Sequence, residues 1–179
     1  MRIAITGHSA GIGLALADEY TNLGHEIVGL SRRNGYNIRN LTKILHPIID
    51  CDVFINNAQA GFAQTELLAA VWKEWRNQAD KLIINISTLM TTHLHADYDY
   101  DMEIYRIQKL ALENTHHRLR SMEGSPRMIL VKPGAVATQP GQQDNLAFCD
   151  VVAWAKRFVN IIDFDGNIQV SEFSLQGKN

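Results

Sequence analysis

Apolar positions in this chain fall into two kinds of run. Short, nearly continuous stretches rich in branched side chains recur along the sequence, and between them the apolar residues space out at helical intervals. The short runs predict strands at Arg2 to Thr6, Glu26 to Leu30, Val53 to Asn56, Leu82 to Ile86, Arg127 to Val131 and Ile168 to Phe173. The spaced patterns predict helices over Gly13 to Leu23, Leu41 to Ile49, Thr65 to Gln78, Met102 to Ser121 and Asp150 to Ile162. Gly24 and Gly124 fall where helices stop, and Pro126 follows the second. Most of the strands lack a polar face, so helices must cover both sides of the sheet. The expected class is α/β: a doubly wound, mostly parallel sheet with helices on both faces, in a single domain.

Length and composition narrow the partners. A chain of 179 residues suits one core, and a net charge of −2 gives no footprint for nucleic acid or for an anionic membrane. A small molecule is the expected partner. No apolar run reaches the roughly 18 residues of a membrane span and no basic leader opens the chain, so the expected location is cytoplasmic. Cys51 and Cys149 lie in apolar surroundings without metal-ligand spacing, and both read as reduced packing residues.

The junction after the first strand reads "TGHSAGIG", residues 6 to 13. Glycines there let backbone approach a pyrophosphate, while the amides of the helix start face its charge. The spacing Thr-Gly-x-x-x-Gly-Ile-Gly resembles the short-chain dehydrogenase/reductase family, and four further stretches agree with that family in order. "NNAQAG" at 56 to 61 resembles the Asn-Asn-Ala-Gly element after its fourth strand, with Gln59 where glycine is usual. "IINIST" at 83 to 88 is similar to the end of its fifth strand, "YRIQK" at 105 to 109 to its Tyr-x-x-x-Lys, and "PGAVAT" at 133 to 138 to the turn after its sixth strand. The resemblance implies a Rossmann-like fold and hydride transfer between a nicotinamide cofactor and a small carbonyl compound or its alcohol.

Tyr105 and Lys109, four residues apart, share one helix face. A nearby ammonium favours the phenolate, and in the reducing direction the same phenol donates a proton to the carbonyl oxygen. The resemblance places the second catalytic hydroxyl at Thr88, with Ser87 as the alternative; adjacent strand residues point to opposite faces, so only one of them is expected to reach the substrate. Ser31 stands where an acidic residue would select NAD(H), and Arg32 and Arg33 offer forked donors to a 2′-phosphate, so the expected cofactor is NADP(H). The family resemblance further implies Gly7, Ser9, Gly11, Ile12 and Gly13 near the phosphates, Asn37 and Ile38 near adenine, and Asn57 with Ala58 near the adenosine ribose. It also implies Lys109 on the nicotinamide ribose, and Pro133 and Thr138 beside the nicotinamide.

The chain departs from the family in its length. Only residues 34–55 separate the arginines from the asparagine element, so a third strand and helix must be minimal there. Residues 59–81 leave room for one helix, and Asn77 lies too near the following strand to replace the family's catalytic asparagine. The loops Thr91 to Asp101 and Thr138 to Asn145 are candidates to face substrate. His93 and His95 with Asp97 make an incomplete metal set, so no metal site is assigned, and His116 and His117 receive no role. Trp72 and Trp75 read as packing residues; their helix and the Tyr-Lys helix are the faces on which relatives pair, which makes a homodimer or homotetramer the expectation. With no second domain to hold a nucleotide sugar, the substrate should be small. The competing expectation is a dinucleotide-binding sensor or interaction protein that keeps the fold without turnover.

Overall fold

A computed structural model describes residues 1–93, 98–145, 147–162 and 169–177. In chain order the elements are β1 (Arg2–Thr6), α1 (Gly11–Asn22), β2 (Glu26–Leu30), α2 (Leu41–Ile49), β3 (Val53–Asn56), α3 (Ala63–Trp75), β4 (Leu82–Ile86), α4 (Tyr100–Arg120), β5 (Arg127–Pro133), β6 (Val136–Ala137), β7 (Cys149–Asp150), α5 (Val151–Ile161) and β8 (Glu172–Leu175). Six strands form one parallel sheet in the order β2-β1-β3-β4-β5-β8.

Alternation along the strands builds two cores. Ile3 and Ile5 of β1 turn to one face, with Ile55, Ile84 and Val131, and meet Leu16 and Tyr20 of α1 and Trp154 and Phe158 of α5. Ala4 turns to the other face, with Phe54 and Ile83, and meets Ile44 of α2, Leu67, Val71 and Trp75 of α3, and Leu112 of α4. Strands covered on both faces gain nothing from polar alternation, which is why their sequences are almost continuously apolar. Trp72 and Trp75 are buried in this second core, with their indole N–H groups donating to Ser125 Oγ and to the Ile49 carbonyl.

Several boundaries differ from expectation for local reasons. Helix α1 begins at Gly11 instead of Gly13, so two of the three glycines lie inside its first turn. Helix α3 starts earlier, at Ala63, and stops at Trp75 instead of running to Gln78, because Asn77 adopts φ +68° and its N–H donates to the Gly124 carbonyl at 2.6 Å, pulling the chain toward the α4–β5 turn. Helix α4 begins two residues early, where the Asp99 carboxylate accepts from the Met102 N–H. Strand β5 runs on to Pro133, and β8 begins only at Glu172 because it pairs with this far half, Leu130 to Pro133; Ile168 lies outside the described residues.

One expectation is corrected outright. Residues 31–52 form no third strand: Ser31 leads into a single 3-10 turn, Arg32–Asn34, and the chain then enters α2. The Asn34 amide accepts from the Ser31 N–H and donates to the Gly29 carbonyl, and Gly35 at φ +87° reverses the chain, so a tight turn stands where a strand would need extended backbone. β2 is therefore the edge of the sheet. The topological switch lies between β1 and β3, where the chain winds first to one side and then to the other, and ligands of such sheets bind beyond the strands' carboxyl ends there.

Candidate active site

At the switch point the glycine-rich turn is clamped from the side. The Thr6 hydroxyl donates to the Ile55 carbonyl at 3.4 Å and accepts from the N–H groups of Asn57 and Ala58 at 2.9 and 3.0 Å. The Asn57 amide donates back to the Thr6 carbonyl at 2.9 Å, so the first and third strands share one bracket at their ends. Gly7 and Gly11 lie at φ +73° and +55°, where a side chain is strained. Gly13 is needed for a different reason: a Cβ there would stand 2.4 Å from the Gly7 carbonyl oxygen. The N-terminus of α1 has no side-chain cap from Ala10 and no acidic residue in its first turn, so its amides stay available to an anion. These features fit a phosphate group.

Around this cradle the sequence candidates separate. Arg32 and Arg33 are exposed at the end of β2, and Arg33 donates to the Ser9 carbonyl at 3.3 Å. Ser31 is buried beneath them. Ile38 is buried in the second core against Ala4 and Leu30, while Asn37 is exposed and accepts from the Arg39 N–H. Thr138 stands across Gly11, its Cβ 3.2 Å from where a glycine Cβ would be.

The second half of the site is built from side chains. Tyr105 and Lys109 do project from one face of α4, with the ammonium 5.6 Å from the phenol ring centre. The Thr88 hydroxyl lies beside the Tyr105 phenol, whereas Ser87 donates to Glu113, two turns further along the same helix. The 3-10 turn Leu89–Thr92 explains the split, because it carries the chain out of β4 as soon as Thr88 has been presented. Burial holds the Tyr105 phenol above its ordinary range, against the opposing pull of the neighbouring Thr88 hydroxyl. In the cofactor-free chain the direction of that shift favours the neutral phenol. Lys109 is 3% exposed, and burial lowers its pKa to about 7 although the Glu113 carboxylate opposes the shift.

Sequence reasoning missed the polar web beneath these residues. Gln64, Asn56, Asn85 and His116 form a buried chain in which Asn56 donates to Asn85 and Asn85 meets the His116 ring at 3.0 Å. Burial, reinforced by His117 and Arg120, lowers the His116 pKa to about 4. Beside it Glu113 accepts from Ser87, Thr91 and Lys132, and Lys132 also bridges to Glu172 on β8. A signal was present in the asparagines of "VFIN" and "IINI", polar residues inside otherwise apolar strands.

Thr88 and Pro133 line a cleft of about 610 Å³ with Met90, His93, Tyr98 and Phe148. Part of the Thr91 to Asp101 loop does face this cleft, and His93 bonds Tyr98 at 3.1 Å, while His95 and Asp97 lie outside the described residues. The Thr138 to Asn145 loop is corrected: β6 pairs with β7, which turns Gln139, Pro140 and Gln143 toward α1, and Ala147 and Phe148 close the cleft in their place. Among the described residues no helix is long and apolar enough to cross a membrane.

With this geometry defined, solved structures give the parallel. An alcohol dehydrogenase from the archaeon Thermococcus sibiricus, complexed with 5-hydroxy-NADP, superposes with a TM-score of 0.72 at 18% identity over 98% of this chain and 96% of its own. The chain has the short-chain dehydrogenase/reductase fold. A short-chain dehydrogenase/reductase from Vibrio parahaemolyticus matches at 0.73 and 18% identity over 99% of this chain and 100% of its own. A short-chain dehydrogenase from Burkholderia cenocepacia J2315, in complex with NADP, matches at 0.73 and 16% over 96% and 86%. No protein-family model and no curated protein matches the sequence. The short-chain dehydrogenase/reductase fold is thus carried here on a sheet that ends at β2.

Proposed function

We propose that this protein is an NADP(H)-dependent oxidoreductase that interconverts a small carbonyl compound and its alcohol. The observation that carries the reading is the placement of the Tyr105 phenol, the Thr88 hydroxyl and the buried Lys109 amine together beside a cleft, two strands along the sheet from an uncapped glycine-rich helix start. The cradle of Gly7, Ser9, Gly11, Ile12 and Gly13 would hold the pyrophosphate, Asn57 and Ala58 the adenosine ribose, Asn37 and Ile38 the adenine side, and Pro133 and Thr138 the nicotinamide side. Exposed Arg32 and Arg33, with Ser31 at the position where a carboxylate would repel a 2′-phosphate, favour NADP(H) over NAD(H). The NADP compounds in the Thermococcus and Burkholderia structures support the same choice.

The nicotinamide, when bound, supplies or accepts the hydride at the carbonyl carbon. Thr88 holds the carbonyl oxygen and Tyr105 donates its proton to that oxygen, so in reduction the alcohol leaves with one hydride and one proton. Lys109 supplies positive charge below the phenol as it becomes a phenolate. Ser87, turned to Glu113, supports the turn that presents Thr88. The chain would act as one domain in the cytoplasm. Exposed Tyr100, Met102, Ile104 and Ile107 on α4 support a homodimer or homotetramer.

The test follows NADPH oxidation with a panel of small aldehydes and ketones. Wild type should turn over at least one of them, and Tyr105→Phe should lose about 10²-fold or more in kcat while still binding NADPH by calorimetry. Equal rates in the two proteins would remove the assigned acid.

A further inference from the structure

Lys109 is held in an unusual way for a residue with a role at a surface cleft. Its Nζ donates to Gln64 Oε1 at 2.9 Å and to the Ile86 carbonyl at 2.8 Å, beneath the sheet's end. Gln64 lies in the first turn of α3, is 2% exposed, and is the one residue with an amide or charged side chain that α3 buries. Its own amide is fixed: Nε2 donates to the Asn56 carbonyl at 2.7 Å and to the Ile86 carbonyl at 3.0 Å. Both partners are carbonyls, so the nitrogen must face them and Oε1 must face the amine. The α3 backbone is tied as well, because Asn56 Nδ2 donates to the Gln64 carbonyl at 3.0 Å.

Helix α3 contains no asparagine, and Asn77 sits past its far end, bonded to Gly124. We propose that Gln64 is the positioning residue for Lys109 in the reaction assigned above, fixing the amine by a direct hydrogen bond and setting the pH range over which it is charged. The inference rests on that reading for its catalytic meaning. An ammonium has three N–H donors; two meet Gln64 and Ile86, and one remains for the site. Gln64 and the Ile86 carbonyl offer oxygen without negative charge, so they orient the amine yet leave burial free to lower its pKa to about 7. Among the described residues the titratable groups acting on it share its helix: Glu113, whose carboxylate favours the charged form and is itself paired to Lys132, and Tyr105. From α3, β3 and β4 come only Gln64, Asn56 and backbone carbonyls, none of which titrates.

The experiment reads Lys109 directly by ¹³Cε-lysine NMR titration of the cofactor-free protein, with the signal assigned by its loss in Lys109→Met. Gln64→Glu places a negative charge at the same oxygen position and should raise the Lys109 midpoint by about 1–3 pH units. Gln64→Met removes the acceptor at similar volume and should lower it. The high-pH limb of kcat with NADPH and a small aldehyde should move in the same direction as each midpoint. Gln64→Asn, which keeps the amide but withdraws it by one methylene, should lower the midpoint too and serves if either variant fails to fold by circular dichroism. A Lys109 midpoint within about 0.3 unit of wild type in the folded variants would overturn the proposal, as would a kcat reduced equally at every pH. Failure of wild type to bind NADPH would instead sink the enzymatic reading and leave the Lys109 titration standing.

Discussion

The two ends of the crevice are made of different material. At the glycine-rich end the functional groups are backbone amides, positioned by residues 6 to 13 and braced by Thr6 against Asn57 and Ala58. At the Tyr105 end they are side chains from two separate stretches, the end of β4 and helix α4, and their placement depends on Gln64, Glu113, Asn85 and other buried polar groups. Backbone sites tolerate no added atom; side-chain sites tolerate no lost partner. The first fails by steric exclusion, the second by leaving a buried polar group unpaired.

The largest effect should come from the side-chain end. Thr88→Ala removes the hydroxyl proposed to hold the carbonyl oxygen and should cost about 10²- to 10³-fold in kcat, whereas Ser87→Ala, whose partner is Glu113, should leave kcat within about tenfold and lower stability instead. Steady-state rates and urea unfolding of the two variants check this, and a reversed order would show that the wrong hydroxyl has been assigned.

Next comes His116. Its folded pKa is depressed to about 4 from 6.5, so between those values the unfolded chain binds the proton and the native protein does not. Stability from this group is complete above pH 6.5 and is lost as pH falls toward 4, by roughly 3 kcal/mol in all. Urea unfolding from pH 7 to 4 should show a steeper acid loss in wild type than in His116→Gln, and parallel curves would place the acid sensitivity elsewhere.

At the backbone end, Gly13→Ala should cost about 1–3 kcal/mol of stability, since its Cβ would meet the fixed Gly7 carbonyl, and calorimetry should find NADPH affinity reduced. The smallest effect is expected for Arg33→Ala. The side chain is exposed and its bond to the Ser9 carbonyl is long, at 3.3 Å, so NADPH affinity should fall several-fold with NADH affinity unchanged. Equal losses for both coenzymes would mean that Arg33 supports the loop and does not read the 2′-phosphate.

The same contrast governs what could be read from the chain alone. Glycines at 7, 11 and 13 announce themselves, because the need for missing side chains is local. The strands are legible too: an apolar run such as "LIINI" reports burial on both faces. Gln64 was invisible, since its meaning depends on Lys109, forty-five positions away, and on two carbonyls that only strand register brings near. Tyr105 and Lys109 were legible as a pair by helical spacing, but the protonation of each is set by burial, which one-dimensional spacing does not report. The turn at Arg32–Asn34 was hidden likewise, because Asn34 closes it by bonding back to Ser31 and Gly29.

Ending the sheet at β2 has a consequence for coenzyme chemistry. A further strand outside β2 would raise a wall on the adenine side; here the outer boundary is a turn of four exposed residues, 32–35, with Tyr36 half-buried behind it. A dinucleotide gripped at its anionic middle would have Asn37 and Ile38 on one side of its purine and open water on the other, so analogues carrying bulky groups on the outer edge of that base should be accepted nearly as well as the parent, and affinity should weaken as ionic strength rises.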